Sequence, residues 1–397
     1  MIFTTYWFLI FAVLTTAAYW LAFVPALRWS ILGAACLIFH AHFAGPAGMA
    51  PIIVLMILTY AAGLSRNRVV CAAVIAICVA TLCFYKYSMF LIGAAVEPWN
   101  HAWALQLGTA TQRVMPGLPP LGISFFVFEF FHYLFEVRRG GEPIRNPLKF
   151  LLFSIFFPSL VAGPIKRYRD FIPALEEGSR RFLPENFAEG LRRIGIGYIK
   201  KTVLADNLTF TLGHHEASYA TMSLTSRWFF VVETALRILF DFSGYSDIAI
   251  GFGLLLNIRL PENFNWPYLA TSIQDFWQRW HISLSTWIRD YVYIPLGGNR
   301  HGVVRRVLNA LIAFALCGLW HGAAWHFVVW GIFHGMGLGI SATYRRIPFL
   351  ATTVGSLFSK EPIAAWLLTQ IYVGIGWLLF FYPLPQAWQM TKLLFHP

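Results

Sequence analysis

Residues 303–340 read VVRRVLNALIAFALCGLWHGAAWHFVVWGIFHGMGLGI. Two apolar runs, 303–319 and 327–340, flank a short segment that carries Trp320 and His321. An ionisable side chain within a membrane-embedded stretch is energetically costly, and it is a candidate functional residue by default. His321 is therefore the first candidate for a functional residue. We expect other parts of the chain to form the surroundings in which a histidine within the membrane can act.

Composition places the chain among polytopic membrane proteins. Of its 397 residues, 58% are hydrophobic and 12% are charged, whereas soluble proteins carry about 25% charged residues. So few charges leave too little polar surface to cover a water-exposed globule. The net charge of +12 falls in short loops between apolar runs, which is the positive-inside pattern. We therefore expect a lipid bilayer as a partner, and no nucleic acid, since no nucleic-acid-binding motif accompanies the charge.

Hydropathy predicts an all-α fold with about ten to twelve membrane segments. The basic positions Arg28, Arg66, Arg68, Arg138 and Arg139 fall on one side of the membrane if each run between them crosses once. The N-terminus then faces away from the cytoplasm, and the first segment is expected to be retained, because it lacks the features of a signal peptide. The predicted spans cover residues 6–27, 29–44, 49–64, 69–96, 119–137, 203–212, 228–258, 303–319, 327–340 and 363–382.

Residues 150–163 depart from this pattern. The run is short, contains Pro158 and has basic residues at both ends, including Lys166 and Arg167. A short, proline-interrupted segment that is basic on both sides predicts a re-entrant element rather than a span. The sequence therefore indicates a funnel that opens from the cytoplasmic side. Loops are predicted at residues 97–117 and 169–186.

The most polar long stretch, residues 261–300, reads PENFNWPYLATSIQDFWQRWHISLSTWIRDYVYIPLGGNR. Its aromatic residues recur at helical spacing beside charged residues, which predicts one interfacial or re-entrant helix with an apolar face. The aromatic positions are Phe276, Trp280, Trp287 and Tyr291. This stretch also carries His281, directly after Trp280.

Two kinds of chemistry fit these residues. A buried, neutral histidine can remove a proton from an alcohol and return it to a leaving group, and Gly322 would let a substrate approach His321 closely. His281 would position an acyl carbonyl. Metal, serine-hydrolase and ATP-driven chemistries are disfavoured, because the HExxH, GxSxG and Walker A motifs are absent and the five cysteines lie unpaired in apolar runs. An enzyme with substrates from opposite sides and a secondary transporter with a histidine proton relay both remain open.

Several long motifs resemble the membrane-bound O-acyltransferase family, and within it the bacterial alginate O-acetyltransferase branch. They are FFPSLVAGPIKRYRDF at 156–171, KKTVLADNL at 200–208, the stretch from FDFSGYSD at 240–247 to YIPLGGNR at 293–300, GLWHG at 318–322 and WGIFHG at 330–335. The D-alanyl-teichoate branch shares part of this pattern. The resemblance covers about residues 118–339 and implies one integral membrane domain over 1–397.

The resemblance implies a ring of membrane helices around a central tunnel in the bacterial cytoplasmic (inner) membrane. His321 matches the invariant family histidine, and His281 matches a second position that holds histidine or asparagine. The implied donor is acetyl-CoA or another cytosolic acyl thioester, with no bound cofactor or metal. The acceptor is an extracytoplasmic polysaccharide, reached through a partner protein of the SGNH-esterase type; transfer of D-alanyl or another acyl group to a cell-envelope polymer is the alternative.

Further residues are expected to contact the substrates. Arg279 or Asp290 would support His281, and the phosphate-rich end of the donor would lie near basic residues of the cytoplasmic side. The expected substrate-binding residues are Trp320, Asp290, Arg279, Trp280, Trp277, Lys166 and Arg167, with Lys200 and Lys201 as further phosphate contacts.

Overall fold

A computed structural model of the chain describes residues 2–115, 119–344, 349, 352 and 361–396. Within these residues the chain is helical, and its one extended pairing is an antiparallel bridge between Phe264 and Trp280. The prediction of an all-α protein is confirmed. The helices are α1 (Tyr6–Leu21), α2 (Pro25–Ser65), α3 (Arg68–Val96), α4 (His101–Val114), α5 (Ile123–Arg138), α6 (Pro147–Ile155), α7 (Tyr168–Gly178), α8 (Pro184–Tyr198), α9 (Asp206–Ser218), α10 (Leu224–Leu255), α11 (Ile273–Arg279), α12 (Ile282–Ile288), α13 (Gly302–His321), α14 (Trp325–Thr343), α15 (Pro362–Phe381) and α16 (Leu384–Leu393).

Five of these helices are long and apolar enough to cross a membrane, namely α2, α3, α10, α13 and α15. The helix α1 is apolar but shorter. These helices confirm a polytopic membrane protein. The full number of membrane segments, their orientation and a central tunnel stay predictions.

The helix α2 joins two predicted spans across a kink. Gly45 has φ 64° and ψ 173°, a conformation outside the helical region, and Pro46 follows it. Glycine tolerates a positive φ without a Cβ clash, and proline cannot donate the helical hydrogen bond at this point. The predicted boundary between residues 44 and 49 therefore corresponds to a kink within one long helix.

The two predicted loops are wrong over most of their length, because each contains an amphipathic helix. The first contains α4, whose N-terminus is capped by the Asn100 side chain, which accepts from the Trp103 amide at 3.0 Å; its end, residues 116–118, lies outside the described residues. The second contains α7. Both helices carry many polar residues, so a search for apolar runs does not find them.

The predicted re-entrant run begins as the nine-residue helix α6 and continues as turns and irregular backbone through residue 167. A helix of that length rises about 14 Å, which is too short to cross the hydrocarbon core. The run is therefore not a helical span. Its re-entry into the membrane stays a prediction.

The chain divides into two compact units, Met1–Ile196 with Ser246–Pro261 and Gly197–Tyr245 with Glu262–Pro397. The prediction of one domain is not tested by this division. The first unit has an aromatic core and a buried ion pair, in which the Lys166 ammonium lies 2.6 Å from the Glu129 carboxylate.

In the second unit, α13 and α14 pack at very short range. A Cβ at Gly318 would overlap the Phe327 carbonyl, and a Cβ at Gly331 would overlap the Phe314 carbonyl. Glycines let neighbouring helices approach this closely in membrane proteins. This contact fixes the end of α13, where His321 lies.

Candidate active site

His281 lies at a break between two short helices, so the prediction of one continuous helix is wrong. The helix α11 ends at Arg279, Trp280 is extended, and α12 begins at Ile282. A neighbouring segment pairs with the break: the Asn265 amide donates to the Arg279 carbonyl at 2.9 Å, and the Ile282 amide donates to the Asn263 carbonyl at 2.9 Å. These bonds satisfy backbone groups that a continuous helix would have paired internally.

The backbone of His281 is left-handed, with φ 44° and ψ 54°. Histidine is among the non-glycine residues that tolerate this region. The N-terminus of α12 is capped from elsewhere, because the Asn263 Oδ1 accepts from the Ser283 hydroxyl at 2.6 Å and from the Ser283 amide at 3.4 Å. The imidazole of His281 is therefore not used as a cap.

The imidazole of His281 is buried without a hydrogen-bond partner. The residue is 1% exposed, and neither Nδ1 nor Nε2 has a partner among the described residues. Its ring lies edge-on to Phe242, with centroids 4.6 Å apart, and 6.1 Å from the Trp320 ring. Burial, together with the nearby His321, lowers the pKa of His281 well below its usual range. A neutral, unsatisfied imidazole in an apolar site is a group that a ligand can pair with.

His321 is the last residue of α13 and is half-buried. Its ring contacts Trp320, Trp330 and Phe380, with centroids 4.9, 5.2 and 5.1 Å away. Trp320 lies within ring-contact distance of both His281 and His321. The structure therefore brings the two predicted histidines together around one tryptophan.

Gly322 does not make room for a substrate as expected. A Cβ at this position would overlap the ring of Phe327. The backbone of Gly322 is extended, with φ −164°, so its conformation does not require glycine. The space that the missing side chain leaves is filled by Phe327, and the glycine serves the packing of α14 against the end of α13.

The predicted tryptophans at 277 and 280 are buried in an aromatic cluster. The Trp277 Nε1 donates to the His334 Nδ1 at 3.3 Å. Trp280 stacks on Phe276 and contacts Trp377, with centroids 5.6 and 4.8 Å away. Trp277 also lines a cavity, whereas Trp280 is held inside the cluster.

The expected support of His281 by Arg279 or Asp290 is not made. The Arg279 Nε lies 2.7 Å from the Asp275 carboxylate, one helical turn earlier, and the Asp290 carboxylate lies 2.7 Å from the Arg289 Nε. Neither side chain hydrogen-bonds to the imidazole of His281. Both Arg279 and Asp290 instead form ion pairs with residues close to them in sequence.

Two of the three lysines expected to bind donor phosphates, Lys166 and Lys201, are paired with carboxylates. Lys166 is 2% exposed and is bound to Glu129 in the first unit, where Arg167 is half-buried. In the second unit, the Lys201 Nζ lies 2.7 Å from Asp206 and 2.6 Å from Asp241. A phosphate at Lys166 or Lys201 would have to displace these carboxylates.

Sequence reasoning missed three residues that form the walls around the histidines. Phe242 contacts His281, while Trp330 and Phe380 contact His321. Phe242 and Phe380 come from helices that are distant in sequence from the histidine each contacts, whereas Trp330 lies in the helix that follows His321. A local pattern cannot reveal such pairs, although Trp330 belongs to the WGIFHG motif. Among the described residues, no group of three or more His, Cys, Asp or Glu side chains is arranged to hold a metal ion.

Comparisons with known proteins agree with this architecture. The model of the membrane-bound O-acyltransferase family matches residues 79–383. The "Probable alginate O-acetylase AlgI" of Azotobacter vinelandii is 39% identical over 324 residues, which are 81% of this chain and 61% of the relative. The peptidoglycan O-acetyltransferase of Helicobacter pylori is 34% identical over 328 residues, which are 76% of this chain and 60% of the relative.

A more distant relative is the teichoic acid D-alanyltransferase of Bacillus subtilis, 32% identical over 238 residues, which are 54% of this chain and 57% of the relative. The chain thus spans about three fifths of the length of these relatives. The family model covers most of the chain, including both histidines and the helices that hold them. The chain belongs to the membrane-bound O-acyltransferase family.

Proposed function

We propose that the chain is an O-acyltransferase that moves an acyl group, most simply acetyl, from a cytosolic thioester to a hydroxyl of an extracytoplasmic polysaccharide. Family membership and the names of the O-acetylating relatives support the reaction type. The observation that carries the proposal is the meeting of His281 and His321 around Trp320 within a membrane protein. The predicted location is the bacterial inner membrane.

His321 acts as the general base in this proposal. Its imidazole takes the proton from the acceptor hydroxyl as the oxygen attacks the thioester carbonyl. The tetrahedral intermediate then collapses, the carbon–sulfur bond breaks, and the proton passes from His321 to the departing thiolate. The products are an ester and a free thiol.

His281 stabilises the oxyanion of that intermediate. A neutral imidazole carries one N–H, and no described residue accepts a hydrogen bond from this ring. Hydrogen-bond donors already in position where negative charge develops need no reorganisation during the reaction, which lowers the barrier. The buried, aromatic surroundings of His281 strengthen such a bond, because water does not compete for it.

Acetyl-CoA is the proposed donor, and the acceptor is reached through an SGNH-type partner protein on the outer face. The kinship with peptidoglycan and alginate O-acetylating proteins supports a polymer acceptor. A D-alanyl donor is the alternative that the teichoic acid relative supports. The same two histidines would serve either acyl group.

The direct test in cells uses His321→Ala, expressed at the wild-type level in a strain that lacks the native copy. Loss of a general base typically lowers a rate by about 10²–10⁴-fold, so O-acetylation of the cell-envelope polysaccharide should fall to background. His214→Ala is the matched control, because His214 is exposed on α9. Normal acetylation in the His321→Ala strain would contradict the proposal.

A further inference from the structure

His334 is a buried histidine that the proposed mechanism does not use. It lies on α14, within the WGIFHG motif, and is 0% exposed. Its ring lies edge-on to Trp277 and Trp330, with centroids 5.2 and 5.0 Å away, and is stacked on Phe276 at 6.3 Å. A side chain without exposed surface does not contact a substrate, so any role of His334 in the reaction passes through its neighbours.

One hydrogen bond joins His334 to the helix that precedes the break at His281. The Trp277 Nε1 donates to the His334 Nδ1 at 3.3 Å. Because Nδ1 accepts, the proton of the neutral imidazole is on Nε2, and Nε2 has no partner among the described residues. This nitrogen faces α15, where a Cβ at Gly376 would lie 2.7 Å from it. The indole of Trp277 is therefore the one polar partner of this ring within the described part of the chain.

Trp277 lies in a short helix whose position depends on its contacts. The helix α11 has seven residues, and the extended Trp280 separates its end from His281. A helix of two turns has little stability of its own. Trp277 is 5% exposed, and its hydrogen bond to His334 fixes both the depth and the rotation of the indole. A fixed indole fixes the end of α11, from which the chain continues to His281.

We infer that His334 is a positioning residue, which through Trp277 holds α11 against α14 and thereby sets where the imidazole of His281 lies. The same helix α14 carries Trp330, whose ring packs 5.2 Å from that of His321. One helix is thus bonded to the segment that leads to His281 and also contacts His321. This inference rests on the proposed function, since it concerns how the two histidines are aligned for acyl transfer.

The expected consequence is a loss of rate rather than of substrate binding. A displacement of about 1 Å in a catalytic group can lower a rate by about 10²-fold. His334→Leu should therefore lower kcat by about 10–100-fold and leave the KM for acetyl-CoA near the wild-type value, because His334 itself does not touch substrate. The assay follows ester formation from acetyl-CoA by the purified full-length chain with the SGNH-type partner and the acceptor polymer.

The matched control is His40→Leu, which removes an imidazole that is 1% exposed in the first unit and should keep the wild-type kcat. Thermal unfolding confirms that each variant is folded under assay conditions. A wild-type kcat in folded His334→Leu would overturn the inference. So would a raised KM with an unchanged kcat, because the pair would then serve substrate binding.

Epistasis with His281 separates positioning from a general structural role. In the His281→Ala background, the imidazole that His334 positions is absent, so His334→Leu should lower the remaining rate by less than about threefold, as expected for residues that act through one another. A structural role would lower the rate by the same factor in both backgrounds. That result would overturn the inference.

Rescue by a shorter acceptor tests the hydrogen bond itself. In His334→Asn, the amide oxygen can take the place of Nδ1 and accept from Trp277, so most of the rate should return. Trp277→Phe keeps His334 but removes the donor, and it should be as slow as His334→Leu, with the double variant no slower than either. His334→Asn as slow as His334→Leu, or independent losses in the double variant, would overturn the inference.

These outcomes are distinct from failure of the proposed function. Ester formation by the wild-type chain tests that function, and an inactive wild type would refute both the function and the inference that rests on it. An active wild type whose His334 variants keep its kcat would refute the positioning role alone.

Discussion

Two buried polar groups, one in each compact unit, differ in what surrounds them. Lys166 is 2% exposed, and its ammonium lies 2.6 Å from the Glu129 carboxylate. His281 is 1% exposed, and both of its ring nitrogens lack a partner among the described residues. The sequence predicts substrate binding for Lys166 and a catalytic role for His281. The first has its partner within the protein, whereas the second does not.

The contrast distinguishes a buried group whose partner is supplied within the protein from a buried group that has no partner among the described residues. Buried polar atoms in native proteins are nearly always hydrogen-bonded, and each exception needs an explanation. Lys166 needs none, because Glu129 balances its charge. His281 is such an exception, as is His40 in the first unit, and in the proposed function a substrate supplies the partner that His281 lacks.

Breaking the Lys166–Glu129 pair should have the largest effect on stability. Lys166→Met leaves the Glu129 carboxylate buried without a counter-ion, which costs about 3–5 kcal/mol in comparable buried pairs. Thermal unfolding of the purified protein in detergent measures the loss. The double variant Lys166→Met with Glu129→Leu removes both charges and should recover most of it. A single variant as stable as the wild type would contradict the structural role of this pair.

Removing the cap of α12 should have a smaller effect. Asn263→Ala deprives the Ser283 amide and hydroxyl of their acceptor, and leaving buried donors unsatisfied costs about 1–3 kcal/mol. Because the Asn263 side chain caps α12 next to the break that carries His281, the transfer rate should also fall. Asn207→Ala is the control, as Asn207 is exposed on α9. Unchanged stability and an unchanged transfer rate in Asn263→Ala would show that this segment does not support the site.

The smallest effect on stability is expected at His281. His281→Asn breaks no hydrogen bond to a described residue, and asparagine also tolerates the left-handed backbone, so the unfolding free energy should change by less than about 1.5 kcal/mol. The transfer rate should fall, but less than in His281→Ala, because the asparagine amide can still donate. If His281→Asn is destabilised as much as Lys166→Met, the contrast between the two groups does not hold.

Much of the fold follows from hydropathy. The last predicted span, 363–382, differs from α15 by one residue at each end, because the run of apolar residues stops where the helix stops. The helix α4 was missed because its polar residues hide it from a search for spans. The break at His281 was missed for a different reason. The helical spacing of the aromatic residues from Phe276 to Tyr291 continues across the break. The segment that pairs with the backbone at the break, Asn263 to Asn265, lies outside that spacing.

The structure brings together the two histidines that the sequence predicts as site residues, whereas several residues around them could not be predicted. A histidine between apolar runs marked His321, and the motif next to Trp280 marked His281. The walls at Phe242 and Phe380 depend on contacts between helices distant in sequence, for which no local spacing exists. The charged residues were the weakest predictions, since sequence alone cannot tell whether Arg279 or Lys166 already has a carboxylate beside it.

The central claim is that the two histidines carry out acyl transfer, and release of coenzyme A measures this directly. Purified wild-type protein in lipid vesicles is incubated with acetyl-CoA labelled in the acetyl group, together with the SGNH-type partner and the acceptor polymer, and free thiol and labelled ester are followed. We expect the two products to form in equal amounts and to fall by about 10²–10⁴-fold in His321→Ala, while His214→Ala keeps the wild-type rate. Solute flux without ester formation would instead indicate a transporter, and equal ester formation by His321→Ala would contradict the account.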